Sequence, residues 1–213
     1  TYILTKKITD SYKIALFSAF FLAISPWHLQ FSRGGFEANL MQFLTVLGIT
    51  LFINGIKNYR LLLLSTISLG LALNTYHGGK IWIPLIIVTL SFCFFKEIVK
   101  LGKKIILPLL IIFIFTLPTL LNYQDSVIRG KSVSVFSQKD KNTYELFLKG
   151  YLSHYSPTFL FIRGDTVGRH SVPGMGELYV FEIPLILIGL YSILKTSTKF
   201  KSLLLSWFLI API

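Results

Sequence analysis

The sequence predicts an all-α membrane protein that crosses the bilayer several times. Hydrophobic residues make up 53% of the 213 residues and charged residues only 14%, whereas about a quarter of a soluble domain is charged. The hydrophobic residues also fall in runs that lack a polar face, unlike the amphipathic helices of a soluble core. Short groups of Lys and Arg separate these runs, which is typical of the loops of a polytopic membrane protein.

Seven apolar runs are candidate membrane-spanning helices. Crossing about 30 Å of hydrocarbon takes roughly 20 residues of helix, and somewhat shorter runs are tolerated. Five candidates lie in residues 1–121 and two in residues 182–213, where the last one is cut short. A buried core helix is the alternative for any single run, but it explains seven runs in one short chain poorly. The predicted spans are residues 12–29, 38–56, 61–76, 81–96, 104–121, 182–195 and 202–213.

The basic residues predict how these spans are oriented. If the segment before the first span lies inside, more than half of the 21 Lys and Arg residues fall in inside segments, as the positive-inside rule requires. The short outer loops then hold only Arg33 and Lys80 as basic residues. We therefore expect Arg33, Lys80 and the loop 122–181 to be extracytoplasmic, in a multi-pass protein of a prokaryotic plasma membrane.

The net charge of +12 has a second interpretation that the sequence argues against. A soluble protein with this charge would be a candidate for binding nucleic acid. Here the basic residues alternate with apolar runs and do not form one basic surface. We therefore expect membrane lipid, and no nucleic acid, as a partner.

The single cysteine limits the disulfide and metal chemistry of the chain, and the two termini bear on whether the sequence is a piece of a longer protein. Cys93 stands alone, so the chain can form neither an internal disulfide nor a cysteine-based metal cluster. No signal-peptide pattern follows Thr1, and the last residues lie inside an apolar run. We therefore expect the sequence to be a piece of a longer protein.

The outer loop 122–181 has three parts. Residues 124–142 are polar and predict an exposed segment. Aromatic and aliphatic residues then recur at helical spacing over residues 144–155, which predicts an amphipathic helix at the membrane interface or a core-facing helix of a small cap. Residues 159–165 predict a short strand-like piece, and residues 171–177 predict tight turns.

Arg33 and Glu37 form the first group of residues that could carry chemistry. They flank Gly34 and Gly35 in a short outer connection, where a tight turn is possible. The guanidinium group of Arg33 suits a phosphate, and Glu37 near a helix N-terminus is favoured by the helix dipole. The structural alternative is an Arg33–Glu37 ion pair that fixes the loop.

His77 and Lys80 form the second group, in the next outer loop. The predicted topology puts them on the same membrane face as Arg33 and Glu37. Cationic groups that converge at the interface would suit an anionic head group. The alternative is an ordinary turn with a snorkelling lysine.

Charged residues of the long loop form a third group that could cover the same pocket. Their spacing matches no specific motif. A zinc site made from His28, Glu37 and His77 is chemically conceivable, but no recognised ligand spacing supports it. The loop residues are His154, Arg163, Asp165, Arg169, His170 and Glu177.

Two segments carry a resemblance to a known family. Residues 26–37 have the pattern P-x-x-x-x-x-S-R-x-x-x-[DE] between two predicted spans. Residues 151–165, followed by Arg169-His-Ser and Gly176-Glu-Leu-Tyr, form the second segment. Together they resemble the glycosyltransferases of the dolichyl-phosphate-mannose protein mannosyltransferase type (family 39) and their bacterial relatives, over nearly the whole chain.

The resemblance implies a GT-C-like bundle of transmembrane helices and an inverting sugar transfer. The donor would be a polyprenyl-phosphate-linked sugar, and the acceptor a hydroxyl of a protein, lipid or glycan on the outer face. A carboxylate would act as general base on that hydroxyl, and basic residues would stabilise the phosphate leaving group. No cofactor is implied, and a divalent metal is left open.

The resemblance also implies roles for individual residues. Arg33 matches the family's arginine and Glu37 its nearby supporting acid, and Lys80 would join Arg33 in binding the donor phosphate. The catalytic acid belongs to an outer loop expected upstream of Thr1, so we expect these residues alone to be inactive. A transporter or flippase of a lipid-linked sugar or anionic lipid is the alternative function, and the absence of charged residues deep in the spans weighs against it.

Overall fold

The computed structural model describes residues 1–122, 124, 127–128, 142–195 and 199–212, and these residues form helices and connections without a β-strand. Short 3₁₀ turns at Gly102–Ile105 and Val180–Glu182 lead into helices α8 and α10. The helices are α1 (Tyr2–Thr9), α2 (Tyr12–Ile24), α3 (Pro26–Arg33), α4 (Glu37–Gly55), α5 (Tyr59–Thr75), α6 (Gly79–Cys93), α7 (Phe95–Val99), α8 (Ile106–Leu121), α9 (Thr143–Ser153), α10 (Ile183–Lys195) and α11 (Lys199–Ile210).

Two of the described helical segments are long and apolar enough to cross a membrane. They are Glu37–Gly55, with 19 residues, and Gly102–Leu121, with 20 residues. A third is possible if α2 and α3, which meet at 57°, form one bent span, and α6 and Phe200–Ile210 are apolar but shorter. The all-helical class and two or three potential spans therefore agree with the sequence, whereas crossing by all seven predicted segments stays a prediction.

The first predicted span, residues 12–29, is not one continuous helix. Helix α2 ends at Ile24, Ser25 adopts an extended backbone with ψ 132°, and α3 begins at Pro26. Proline has no N–H group to continue the hydrogen bonds of α2, and its fixed φ favours the first position of a new helix. The bend follows directly from that proline and turns α3 away from the axis of α2.

Helices α4 and α5 pack closely because small residues lie between them. The ideal Cβ of an alanine at Gly48 would be 2.7 Å from the Leu69 side chain. At the same level the Ser65 hydroxyl donates a 2.7 Å hydrogen bond to the Gly48 carbonyl, and the Ser68 hydroxyl donates to the Leu44 carbonyl at 2.8 Å. Small residues and interhelical hydroxyl bonds are the usual means of packing helices in a bilayer.

Helix α6 joins this pair to α11, whereas α8 remains largely exposed. The rings of Trp82 and Trp207 lie 6.0 Å apart at the contact between α6 and α11. In α8 only Pro108 is buried, and Leu109 and Phe113 are exposed by 59% and 54%. A soluble protein rarely exposes such a continuous apolar surface, and the segment Gly102–Leu121 is long and apolar enough to cross a membrane.

The long loop differs from prediction in one element. Residues Thr158–Arg163 form a π-helical turn and not the strand-like piece that the sequence predicted. The reason is local, because a short apolar run does not distinguish a strand from a helical turn. Helix α9 lies where the amphipathic helix was predicted and has no buried residue, which argues against its being a core-facing helix of a cap.

Candidate functional site

Polar residues from four helices line a cavity of about 330 Å³ at the end of the molecule where α4 and α6 begin and α5 and α8 end. We call it the Lys80 cavity. Glu37 comes from the first turn of α4, and Lys80 from the first turn of α6. The other lining residues are Asn74, Thr75, Tyr76, His77, Pro118, Thr119 and Asn122.

The connection between α5 and α6 sets the position of His77 and Lys80. The Gly79 and Lys80 N–H groups donate to the Tyr76 and His77 carbonyls at 3.0 and 3.1 Å, which makes a tight turn. A side chain at Gly79 would collide with the Ala72 carbonyl oxygen at 2.6 Å. Glycine is therefore required for α6 to begin this close to α5, and this close approach brings Lys80 to the cavity.

The floor of the Lys80 cavity is built from side chains of α5 and α8. The Asn74 amide donates to the Phe115 carbonyl at 2.8 Å and so joins the two helices. The Thr119 hydroxyl oxygen is buried and has no hydrogen-bond partner among the described residues. A buried polar atom without a partner is costly, so a ligand group or water at Thr119 would be stabilising.

Arg33 does not line the Lys80 cavity. It occupies the last turn of α3, is exposed, and is separated from Glu37 by the turn at Gly35, whose φ is 63°. Within the described part of the chain the ion pairs are Lys149–Glu145 and His170–Asp165. The structural Arg33–Glu37 pair that the sequence left open is therefore not formed.

Four residues of the long loop form a hydrogen-bonded network. The His170 ring Nδ1 lies 3.0 Å from Oδ2 of Asp165, and the Arg169 Nε donates to His170 Nε2 at 3.2 Å. The Asp165 N–H donates to Oε1 of Glu177 at 2.8 Å. Both ring nitrogens of His170 are thus engaged, so the network holds the loop together and leaves no imidazole nitrogen for a substrate.

This loop packs on α3 and lies at a different cavity from Lys80. The Gln30 side-chain amide donates to the Arg169 carbonyl at 3.2 Å, and the Phe31 and His170 rings are 5.8 Å apart. Asp165 and His170 line a cavity of about 320 Å³ against Trp27 and Phe31. His154 packs on Phe159 and Arg163 is exposed, so none of the predicted loop residues lines the Lys80 cavity.

The environment shifts the pKa values of the two loop carboxyls in opposite directions. Burial would raise the pKa of Asp165, but the hydrogen bonds from Val167 and His170 and the charge of His170 together lower it below its ordinary value. For Glu177 burial is again the largest influence and raises the pKa, despite the hydrogen bond from the Asp165 N–H. Asp165 is therefore the member of the pair that favours the charged form.

The network predicts a pH dependence for Asp165→Asn. A carboxyl with a lowered folded-state pKa contributes stability above its unfolded pKa, about 3.9, and loses it as pH falls through the folded pKa. The difference in opening free energy between wild type and Asp165→Asn should thus be largest near neutral pH and disappear once the pH falls below the lowered folded-state pKa of Asp165. Hydrogen exchange over residues 164–177 measures it, with the exposed Glu145→Gln as control. A difference that persists at low pH would contradict this assignment.

A larger cavity of about 830 Å³ lies beside α2 and α4. His28 lines it, whereas Glu37 and His77 line the Lys80 cavity. The three residues of the conceivable zinc site are therefore divided between two cavities, and no group of three metal-ligating side chains occurs in the described ranges. Sequence reasoning missed the role of Gln42 and Glu182 in this larger cavity, because only the tertiary packing brings them to it.

No protein-family profile, curated protein or solved structure matches this chain. The resemblance to the glycosyltransferases therefore rests on the motifs of the sequence alone.

Proposed function

We propose that this chain belongs to an integral membrane glycosyltransferase that takes a sugar from a polyprenyl-phosphate carrier on the outer face of the membrane. In this proposal Lys80 and Arg33 bind the carrier phosphate. Glu37 orients Lys80 or the sugar. The general base that accepts the proton of the acceptor hydroxyl is expected, from the resemblance, upstream of Thr1.

The observation that carries the proposal is the shared lining of the Lys80 cavity. Glu37, His77 and Lys80 come from two connections that are 40 residues apart in sequence, yet they line one cavity at one end of the bundle. The positive ends of α4 and α6 lie at the same end and add to the attraction for an anion. A phosphate leaving group develops negative charge that a fixed ammonium group stabilises.

The hydrogen bonding of the buried hydroxyls favours an enzyme over a transporter. A transporter needs polar groups that can receive its cargo near the middle of the membrane. The hydroxyls of Thr45, Ser65 and Ser68 instead donate to backbone carbonyls of α4. These groups stabilise helix packing, and the polar cavity with Lys80 lies at the end of the bundle.

Sugar transfer by the intact gene product in membranes tests the proposal. A radiolabelled polyprenyl-phosphate sugar is supplied as donor, and Arg33→Ala is compared with wild type. We expect Arg33→Ala to lower transfer about tenfold, since a hydrogen bond to a charged group is worth roughly 1.5–3 kcal/mol and Arg33 lies at the edge of the site. Arg60→Ala, at the opposite end of α5, is the matched control and should retain activity.

The outcomes of this assay distinguish a role of Arg33 in phosphate binding from no such role, and an enzyme from a transporter. If Arg33→Ala leaves transfer unchanged, the protein is a glycosyltransferase in which Arg33 does not bind the carrier phosphate. If no polyprenyl-phosphate donor supports transfer and the lipid instead moves across the bilayer, the protein is a transporter and not a glycosyltransferase.

A further inference from the structure

The cavity beside α2 and α4 is larger than the two other cavities described above, and the proposed sugar transfer does not explain its function. Its volume is about 830 Å³, within the range of cavities that enclose organic ligands. Apolar side chains from α1, α2, α4 and α11 form most of its wall. Representative lining residues are Leu4, Phe21, Leu40, Phe43 and Trp207.

Three buried polar atoms at this cavity have no hydrogen-bond partner among the described residues. They are Nδ1 of His28, Oε1 of Gln42 and Oε1 of Glu182, and all three residues line the cavity. Glu182 is only 8% exposed, so solvent outside the protein does not satisfy its carboxyl group. Leaving such atoms unpaired costs about 1–3 kcal/mol each, and a bound group that reaches them would remove this cost.

The charge of the wall disfavours an anionic ligand. His28 and Glu182 are the ionisable side chains among the described lining residues, and no Lys or Arg side chain lines the cavity. A phosphate or carboxylate would be buried next to Glu182 without a cationic side chain to compensate it, which is costly. The anion-binding features of the molecule lie instead at Lys80.

A hydroxyl group matches the three unpaired atoms better than other neutral polar groups. It can donate to Oε1 of Gln42 or Glu182, and it can either donate to or accept from Nδ1 of His28. A ligand with one or two free hydroxyls and a long apolar part would therefore satisfy both the polar atoms and the apolar wall.

Two exposed apolar side chains of α4 line the cavity. Leu40 and Phe43 line the cavity and are nevertheless 52% and 61% exposed. Both lie in the first two turns of α4, one of the two helices long enough to cross the membrane. A molecule dissolved in the outer half of the bilayer could enter between these two side chains.

We infer that this cavity binds a neutral lipid with a free hydroxyl head group, of which a diacylglycerol is the simplest representative. The acyl chain would lie against Leu40 and Phe43, and the hydroxyl would lie among His28, Gln42 and Glu182. The inference concerns binding alone and does not depend on sugar transfer, so it can fail or succeed independently of the proposed function.

Photolabelling tests this inference on the full chain in phosphatidylcholine nanodiscs. The probe is a diacylglycerol with a diazirine in one acyl chain, and mass spectrometry locates the labelled peptides. Two analogues with identical acyl chains are compared, a phosphatidic acid and a diacylglycerol whose hydroxyl is methylated. We expect labelling of residues 40–46 by the diacylglycerol, and about fivefold weaker labelling by each analogue because hydrogen bonds are lost or a charge is buried.

Two variants connect the labelling to this cavity. Leu40→Trp fills the opening and should abolish labelling, whereas Leu64→Trp, at a similarly exposed leucine of α5 that is 50% exposed and outside the cavity, should not change it. Gln42→Leu should weaken labelling by the diacylglycerol about fivefold and leave the methylated analogue unaffected.

Several results would overturn the inference. Equal labelling by the methylated analogue would show that the hydroxyl is irrelevant, and stronger labelling by phosphatidic acid would show that the site is not selective for neutral lipids. Labelling that survives Leu40→Trp would place the lipid elsewhere on the surface. If no lipid labels residues 40–46, protein or water fills the cavity.

Discussion

Under the proposed function, replacing Lys80 by glutamine should lower sugar transfer from a polyprenyl-phosphate donor by about tenfold to a hundredfold in kcat/KM. The ammonium group of Lys80 is the cationic side chain that lines the cavity with Glu37 and His77. A charged hydrogen bond to the departing phosphate is worth roughly 1.5–3 kcal/mol, which corresponds to that range. Glutamine is one bond shorter than lysine, stays polar and removes the charge, so the fold of the cavity should be retained.

The matched control for this prediction is Lys57→Gln. Lys57 is exposed and follows α4 at the end opposite to Glu37, so a general effect of net charge on the membrane protein would appear in both variants. Lys80→Arg should recover much of the lost activity because it restores the positive charge. If Lys80→Gln and Lys57→Gln are equally active, the Lys80 cavity takes no part in the reaction.

A larger loss in Lys80→Gln than in Arg33→Ala would agree with their positions. Lys80 is half-buried and lines the cavity, whereas Arg33 is exposed and does not line it. Solvent weakens the electrostatic interactions of an exposed charge much more than those of a partly enclosed one. The reverse order would indicate that the carrier phosphate lies outside the cavity, against the end of α3.

The helical architecture could be predicted where a single physical signal dominates. The apolar runs around α4, α5 and α8 are long and uninterrupted, and the helices form at those positions. Pro26 is a sequence signal for the break between α2 and α3. The apolar residues on both sides of it form one run, which predicts one continuous span. The π-helical turn at Thr158–Arg163 had no distinguishing signal, because a short apolar segment fits several backbone conformations.

The candidate site was predictable only to the extent that it depends on topology. Glu37 and Lys80 lie at the same end because consecutive antiparallel helices return the chain to that end, and this follows from the order of the apolar runs. The direction in which each side chain points does not follow from that order. Arg33 therefore neither lines the cavity nor pairs with Glu37, and the loop residues Asp165 and His170 pack on α3.

The cluster at the larger cavity could not be predicted from spacing. Gln42 and Glu182 are 140 residues apart in sequence, and His28 lies in a helix that begins after an unpredicted bend. Their convergence depends on how α3, α4 and the turn before α10 pack together. The local signal was Gln42, one of a few polar residues in a mainly apolar span, and a glutamine there is by itself compatible with an ordinary helix contact.

Gly55→Ala should destabilise the protein by about 1–3 kcal/mol, the usual cost of adding a methyl group where no space exists. A Cβ at Gly55 would lie 2.5 Å from the backbone nitrogen and 2.7 Å from the Cα of Leu62. These are backbone atoms, so no side-chain rotation can relieve the collision. Helices α4 and α5 would have to separate at this end, which would also disturb the packing of Gly48 against Leu69.

Thermal or detergent-induced unfolding of the purified protein measures this effect. Gly189→Ala is the matched control, because Gly189 also lies in an apolar helix but a Cβ there has no neighbour within 4 Å. Alanine is the better helix former by about 0.5–1 kcal/mol, so the control should be neutral or slightly more stable. Equal stability of Gly55→Ala and Gly189→Ala would contradict the close contact between α4 and α5 at Leu62. The cavities lined by these two helices would then differ in shape from those described above.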